Sequence, residues 1–420
     1  MKKGPATPLL AAAAALCAGA LSAQAVDSWT PRVDEWLGVS LLKGNVKARV
    51  SGLLDLEGYY VEQPPSGLVE TRHGFLLNPR LTLNLDAQFG SHFYGFVEMR
   101  MDRGFDPHDS SAQTRLDQYA LAFKPWPDQG WRIQVGKFAT VIGNWSHRYD
   151  SWTNPFINAP LPYENVTPIY DREVPADANE FLTWRNEVDE NYERTPIIWG
   201  PSLASGVAIY GQVGKFNVAA EMKNASLSSR PEEWDATQRT WQHPTWSGRF
   251  GWEPTPAWNL GFSASAGPYL VSGAMLSDPS SHPSLLPRGK NIGDYREIVL
   301  GQDLSFAWHH WEFWAEFFET RFEVPRIGDA DTFAYYLEAK YKFTPQFYGA
   351  LRWNQQLYST VRNDEGDNET WGNDIWRIDT ALTYRFTPDV QARIQYSIIR
   401  QQLAMREWEN FLAGQVTVRF

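Results

Sequence analysis

Across the last ninety residues, 331–420, apolar and polar side chains alternate. Phe333, Tyr335, Leu337, Ala339, Tyr341 and Phe343 share one parity; Thr332, Tyr336, Glu338, Lys340 and Lys342 share the other. A turn, Thr344-Pro345-Gln346, follows, and then Phe347, Gly349, Leu351 and Trp353 alternate with Tyr348, Arg352, Asn354 and Gln356. The pattern returns around a second turn, Thr387-Pro388-Asp389, and again in Leu412, Gly414, Val416, Val418 and Phe420. A period of two marks a strand with two unlike faces. Held for about ten residues, it matches the length a tilted strand needs to cross a bilayer. The expected fold is therefore all-β: a transmembrane antiparallel barrel whose last strand, ending in Phe420, closes against the first.

The N-terminus reads as a targeting segment. Lys2 and Lys3 precede an apolar run over 9–21, and Ala23-Gln24-Ala25 supplies a small-residue cleavage site, so residues 1–25 are expected to be a signal peptide. The run falls short of the roughly 20 residues of a membrane-spanning helix. The single cysteine, Cys17, would leave with it. That excludes disulfides, thiolate metal sites, haem attachment and a cysteine nucleophile from the remainder. The whole chain carries 38 basic and 49 acidic residues; without Lys2 and Lys3 the net charge moves from −11 to −13, a poor match for nucleic acid. A mean hydropathy of −0.44 fits a barrel, in which only alternate residues meet lipid. The 20 Trp, 18 Tyr and 23 Phe suit aromatic girdles at two interfaces.

Residues 26–45 form a short segment before the barrel. Thr30-Pro31 reads as an N-cap followed by proline at the first helical position, and Val33, Trp36, Leu37 and Leu41 share a face, which predicts a short helix. It is far too small for a plug domain. The barrel occupies 46–420, with strands expected at 46–60, 75–89, 93–101, 115–124, 131–138, 207–213, 216–222, 245–253, 258–266, 297–308, 311–322, 333–343, 347–357, 375–386, 390–397 and 411–420. Sixteen is an even number, as single-chain bacterial barrels require. Every second connection is short, among them Gly90-Ser91, Gly214-Lys215 and His309-His310, and those between are longer and polar. Short turns at one end and long loops at the other are the barrel asymmetry.

One connection is out of scale. Residues 139–206, the third long loop, contain Trp145, Trp152, Phe156, Tyr163, Tyr170, Phe181, Trp184, Tyr192 and Trp199. A loop this long in a compact fold is usually functional. Sixteen strands, the longest loop after the fifth, a signal peptide and a terminal Phe together resemble the Gram-negative porins, and Val135-Gly136-Lys137-Phe138 resembles a strand end of the phosphate-selective type. The resemblance implies a third loop folded into the lumen, a narrowed pore and a homotrimer in outer-membrane lipid.

Alternation sorts the charges. The lumen parity of the first five strands carries Lys47, Arg49, Arg80, Arg100 and Arg132, with Asp55, Glu57, Asp86 and Glu98 among them. The loop adds Arg148, Asp150, Glu164, Asp171, Arg172, Glu173, Asp177, Glu180 and Arg185. Opposite charges across a wet constriction would set up a transverse field that orients dipolar solutes. This is similar to the basic wall and acidic loop of general porins. A second group, Arg352, Arg377, Arg385 and Arg393, shares one face of consecutive strands and could form an anion ladder; the plainer alternative pairs it with Asp379 and Glu338. Trp145, Trp152 and Trp184 suggest a stacking track for sugars, or else packing of the loop on the wall. Trp246, Trp252, Trp258, Trp308, Trp311 and Trp376 read as girdle or turn residues.

Catalysis finds no matching motif. His147 and Asp150 lack a nucleophile, no H-E-x-x-H pair, P-loop or G-x-S-x-G elbow occurs, and Asp364-Glu365-Gly366-Asp367 departs from the calcium-loop spacing. The expected function is passive diffusion of small hydrophilic solutes or ions, with no enzyme activity, cofactor or metal. The alternatives are a channel selective for phosphate, other anions or oligosaccharides, and a barrel that sheathes a periplasmic electron carrier or acts as a scaffold.

Overall fold

The computed structural model describes residues 38–41, 45–62, 74–103, 112–126, 130–187, 194–239, 241–272, 274–276, 286–287, 289–402 and 408–420. Sixteen long strands form one antiparallel sheet. They are β1 (Val46–Val61), β2 (Phe75–Phe89), β3 (Phe93–Asp102), β4 (Gln113–Phe123), β5 (Arg132–Lys137), β6 (Ser205–Val213), β7 (Phe216–Lys223) and β8 (Thr245–Trp252). The second half comprises β9 (Trp258–Pro268), β10 (Arg296–Trp308), β11 (Trp311–Val324), β12 (Gly328–Lys342), β13 (Phe347–Tyr358), β14 (Ile375–Thr387), β15 (Val390–Gln401) and β16 (Trp408–Arg419). Each pairs with its sequence neighbour, and β1 also pairs with β16, so the sheet is a closed barrel. All sixteen expected strands are present, several extended toward the long-loop end.

Closure is made on β1. Leu53 to Val61 pair with Phe411 to Arg419, and beyond them Gly52 and Phe420 exchange two backbone hydrogen bonds of 2.9 and 3.1 Å. Below that point the edge is continued by a short strand, Gly38–Leu41, whose partners are Val46 to Arg49. The expected helix starts outside the described residues, but its last position, Leu41, lies in this strand. Pairing wins there because the stretch of β1 beyond Phe420 otherwise exposes a row of unpaired backbone groups.

One further correction concerns the connections. The sixth long-loop connection is a tight turn: the ladder of β11 and β12 runs on to Val324↔Gly328, leaving only Pro325 to Ile327 between them. Arg326 takes a positive φ of 67° to make it, and Gly328 follows at 103°. At β4 the register shifts opposite Glu98 and Met99. The resulting bulge turns Asp117 inward beside Gln118, where Asp117 meets both Arg100 and Arg115.

The two faces separate as alternation predicts. Leu54, Leu56, Leu77, Leu121, Val135, Ile209, Phe250, Phe262, Leu300, Leu337, Leu351, Leu382 and Ile394 are exposed on the outer face. Toward the short turns, Trp258, Phe306, Phe313, Trp311, Tyr341, Phe343 and Phe347 form a continuous belt, with ring centroids between 4.1 and 6.1 Å apart. Trp353, Trp376 and Trp408 form a second cluster toward the long loops. Such rings suit the boundary between hydrocarbon and headgroups. Inside, the largest apolar core among the described residues lies in the long-loop half and joins loop residues to the inner wall of β10 to β13.

Gly52 fixes how closely the last strand can approach. A Cβ there would meet the Phe420 ring at 2.5 Å and the Thr82 carbonyl oxygen at 2.8 Å. Gly52→Val is therefore predicted to push Phe420 off its seat and cost about 1–3 kcal/mol, as overpacking does. The check is the temperature at which the folded form loses its fast mobility in SDS electrophoresis; it should fall.

Candidate functional site

The third loop, L3 (138–204), passes into the lumen and is tied to the inner wall of strand after strand. Its first anchor lies beside its own exit from β5. Glu221 on β7 accepts from the Thr140 hydroxyl at 2.6 Å and from the Val141 N–H at 3.3 Å. Lys223 donates to the Phe138 and Ser202 carbonyls at 2.6 and 3.1 Å. The chain then reaches the far wall. Glu316 on β11, wholly buried, accepts from the N–H groups of Asn144 and Trp145 and, at 2.5 Å, from the Tyr163 hydroxyl. Arg148 donates to Glu338 at 2.5 Å and to the Tyr336 hydroxyl at 3.1 Å, both on β12.

The middle of the loop returns across β1, β3 and β13 to β15. Tyr149 donates to Glu98, and Ser151 to Asp55, each at 2.9 Å. Gln395 accepts from the Ile157 N–H at 2.7 Å and Asn354 from the Leu161 N–H at 3.2 Å. Asn165 donates to Gln356 at 2.8 Å. Wall side chains thus satisfy loop backbone groups that no strand ladder serves. Beyond Asn165, L3 folds on itself: Val166–Tyr170 pairs with Arg194–Pro196, and a short helix, Ala178–Thr183, is capped by Asp177, whose side chain accepts from the Glu180 N–H. The helix lies against the loop 359–374: Phe181 stacks on Trp371 at 5.9 Å, and Asn179 donates to Glu365 at 3.3 Å.

The predicted basic wall divides by depth. Arg80 is bound to Asp55 at 3.1 Å and Glu57 at 2.5 Å, and Arg100 to Asp117 at 3.1 Å and Glu98 at 3.5 Å. Lys47, Arg49 and Arg132 lie in the short-turn half and are exposed, with the Arg132 guanidinium 4.1 Å from the Tyr210 ring centroid. The loop acids are used locally. Asp150 accepts from the N–H groups of Trp152 and Thr153, both at 2.9 Å, and Glu173 opens the two-residue strand Glu173–Val174, which pairs with Met275–Leu276.

Asp171 is wholly buried and meets Arg230, from the loop 224–244, at 3.0 Å. Burial pushes its carboxyl up to about 6, against the opposing pull of Arg230. Asp150 and Asp171 thus engage different groups, backbone N–H groups of L3 for the first and Arg230 for the second.

The second basic group divides too. Arg352 and Arg377 are buried and share Asp379 at 2.8 and 3.0 Å, and Arg377 also binds Glu164 of L3. Arg385 and Arg393 have other partners: aromatic rings for the first; hydroxyls, an amide and carbonyls for the second. Of the three tryptophans suggested as a stacking track, Trp145 and Trp184 are buried, 4.6 Å from Tyr163 and 4.8 Å from Tyr170. Trp152 stays half-exposed, with Arg419 at 4.5 Å and Arg385 at 5.2 Å from its ring. Sequence reasoning missed Glu316, Glu221, Asn354 and Gln395 as loop anchors. Their only signal is inward parity on their strands.

No protein-family model and no curated protein matches the sequence. Solved structures do. Salmonella typhi OmpF, in complex with daunomycin, aligns with a TM-score of 0.55 and 10% identity, covering 91% of this chain and 100% of that one. The anion-selective porin from Comamonas acidovorans gives 0.53 and 11%, over 89% and 100%. The trimer form of in-vitro folded OmpT, an outer-membrane protein of Vibrio cholerae, gives 0.52 and 9%, over 89% and 99%. At such identities the likeness is one of fold. The chain has the closed sixteen-stranded barrel of the outer-membrane porins.

Proposed function

We propose that this chain, freed of residues 1–25, is an outer-membrane channel for passive diffusion of small hydrophilic solutes, in which L3 sets the width and charge of the passage. The observation that carries the reading is the attachment of L3 inside the lumen, where Glu316 on β11, Glu338 on β12 through Arg148, Asn354 on β13 and Gln395 on β15 tie it to the wall. A loop held this way obstructs part of the cross-section and presents its lower edge to whatever enters from the short-turn half. The reading includes no chemical turnover: loop and wall carboxylates engage N–H groups, hydroxyls and guanidiniums. The trimer form of the Vibrio cholerae neighbour supports a homotrimer for this chain as well.

Two expected outcomes follow from the loop attachment. In planar bilayers the purified protein should give discrete open steps whose size follows bulk ion conductivity; a current-free barrel would favour the sheath or scaffold role instead. Glu316→Leu removes the acceptor for two N–H groups and the Tyr163 hydroxyl, and each buried donor left unsatisfied costs about 1–3 kcal/mol. Loosened there, L3 should give larger and noisier steps than the parent, with the barrel still folded by circular dichroism.

The Asp171 anchor makes a pH prediction. Its folded value, about 6, stands above the ordinary aspartate value, so the folded state holds a proton that the unfolded state has released between about pH 4 and 6. The contribution of this group to stability is therefore fully present below about pH 4 and is lost as pH rises to about 6, a change of about 3 kcal/mol. In denaturant titrations, the stability of the parent relative to Asp171→Asn should fall across that window and level off above it. A difference independent of pH would refute the assignment.

A further inference from the structure

On the short-turn side of L3, the inner wall of β13 to β16 holds cations without enough carboxylates. Arg393, 4% exposed, donates to the Thr383 hydroxyl at 3.0 Å, to Gln415 at 2.8 Å, to the Ser151 and Phe156 carbonyls, both at 3.2 Å, and to the Tyr348 hydroxyl at 3.3 Å. None of these partners carries charge. Arg385 lies one row nearer the short turns, since Thr383 pairs with Arg393 and Arg385 with Gln391. Its guanidinium sits 5.2 Å from the Trp152 ring and 5.8 Å from the Tyr348 ring, and its buried Nε has no hydrogen-bond partner.

Beside it, Gln391 donates to the Ser151 carbonyl at 2.9 Å while its own buried oxygen accepts nothing. Arg419, exposed, lies 4.5 Å from the Trp152 ring and pairs with Asp389 at 3.1 Å. The nearby carboxylates are already engaged: Asp55 and Glu57 share Arg80, Glu57 also accepts from Gln415 at 2.7 Å, and Glu312 holds both Lys340 and Lys342.

The deeper arginines make the contrast. Arg352 and Arg377 have the same inward parity, yet both are neutralised by carboxylates, Arg352 by Asp379 and Glu338 and Arg377 by Asp379 and Glu164. Arg393 is a charge withdrawn from water and Arg385 a half-exposed one with a buried Nε, and neither touches a carboxylate among the described residues, a state that an entering anion relieves. A planar guanidinium fork offers parallel donors to a carboxylate or phosphate. The indole of Trp152 and the phenol of Tyr348 add apolar surface beside those donors, which suits a solute with an apolar body behind its anionic group better than a bare inorganic ion.

We propose that Arg385 and Arg419, held against Trp152 with the buried charge of Arg393 behind them, form a binding site for a small organic carboxylate at the lower edge of L3. The site faces the short-turn half of the lumen, so a bound solute stands in the path of the current. This rests on reading the barrel as a channel, but binding itself does not.

The test uses the full-length protein in two formats. In planar bilayers, sodium benzoate added to a chloride solution should block the open steps in a concentration-dependent way. In detergent, isothermal titration with benzoate should give saturable binding whether or not the barrel conducts. Arg385→Gln combined with Arg419→Gln should weaken both block and binding by about tenfold or more, the effect of losing a charge-assisted contact. Arg385→Lys, which keeps the charge and loses the fork, should recover only part.

Open steps with neither block nor binding would overturn the site and leave the channel standing. Binding without any current would overturn the channel and keep the site. Equal affinity for inorganic phosphate and benzoate, unchanged in Trp152→Ala, would overturn the organic carboxylate as the ligand class. A folding defect in the double variant is separated from loss of the site by Trp152→Ala alone, which removes the ring and no charge and should still weaken benzoate binding.

Discussion

Hydrocarbon offers no hydrogen-bond partner to a backbone, so a chain with this outer face has to satisfy every N–H and C=O within itself. The first strand is where that demand is met or missed. β1 pairs along almost its whole length with β2, while its other edge is shared by β16, by the two bonds of Phe420 to Gly52 and by the short strand Gly38–Leu41. The two sides of β1 thus join chain segments separated by nearly the whole sequence. Once the edge is closed, the cylinder offers no strand edge to another chain, and the leucine, valine and phenylalanine facing outward are left to lipid.

The same demand, turned inward, explains the composition of the lumen wall. L3 runs through space where strand ladders cannot reach it, and its backbone groups are satisfied by side chains instead. Arg393 serves the carbonyls of Ser151 and Phe156, Arg352 and Arg377 that of Ala159, Gln395 the N–H of Ile157, and Asn354 that of Leu161. Long side chains with several donors are what this task requires. The aromatic residues of L3 then bury themselves against Val299, Phe318, Phe322 and Tyr336, residues that point into the barrel. Where L3 meets β10 to β13 the long-loop half of the lumen is accordingly packed like a protein interior, and the short-turn half keeps its exposed lysine and arginines.

Alternation made the barrel legible, because a period of two assigns each strand residue to a face whatever lies around it. Sixteen strands, their order and the exceptional length of L3 all follow from it. Depth and partnership do not. Arg80 and Arg132 read alike in sequence, yet one is closed by two carboxylates and the other stands exposed beside Tyr210. The anchors of L3 lie far along the chain from the groups they hold, 171 residues for Trp145 and Glu316 and 238 for Ile157 and Gln395, and no local pattern encodes such pairs. The tight turn at Pro325 escaped notice for a different reason. Gly328 to Asp331 are small or charged and read as loop, but the ladder with β11 carries them as strand.

Where charges close on one another and where they do not is the remaining order in the lumen. At β4 a bulge brings Asp117 inward between Arg100 and Arg115, so an extra residue in one strand supplies the carboxylate that two arginines share. Asp379 does the same for Arg352 and Arg377 without any irregularity. Both arrangements fix guanidiniums whose work is to hold the wall and L3 together, and a guanidinium buried among carboxylates has little attraction left for a passing anion, whereas the pairing of Arg419 with Asp389 is exposed and weak. At Arg385 and Arg393 the wall supplies rings, hydroxyls and carbonyls but no carboxylate, so the donors are oriented while the charge persists. Holding L3 needs hydrogen-bond geometry, and recognising an anion needs uncompensated charge; this corner of the barrel has both because its polar partners are neutral.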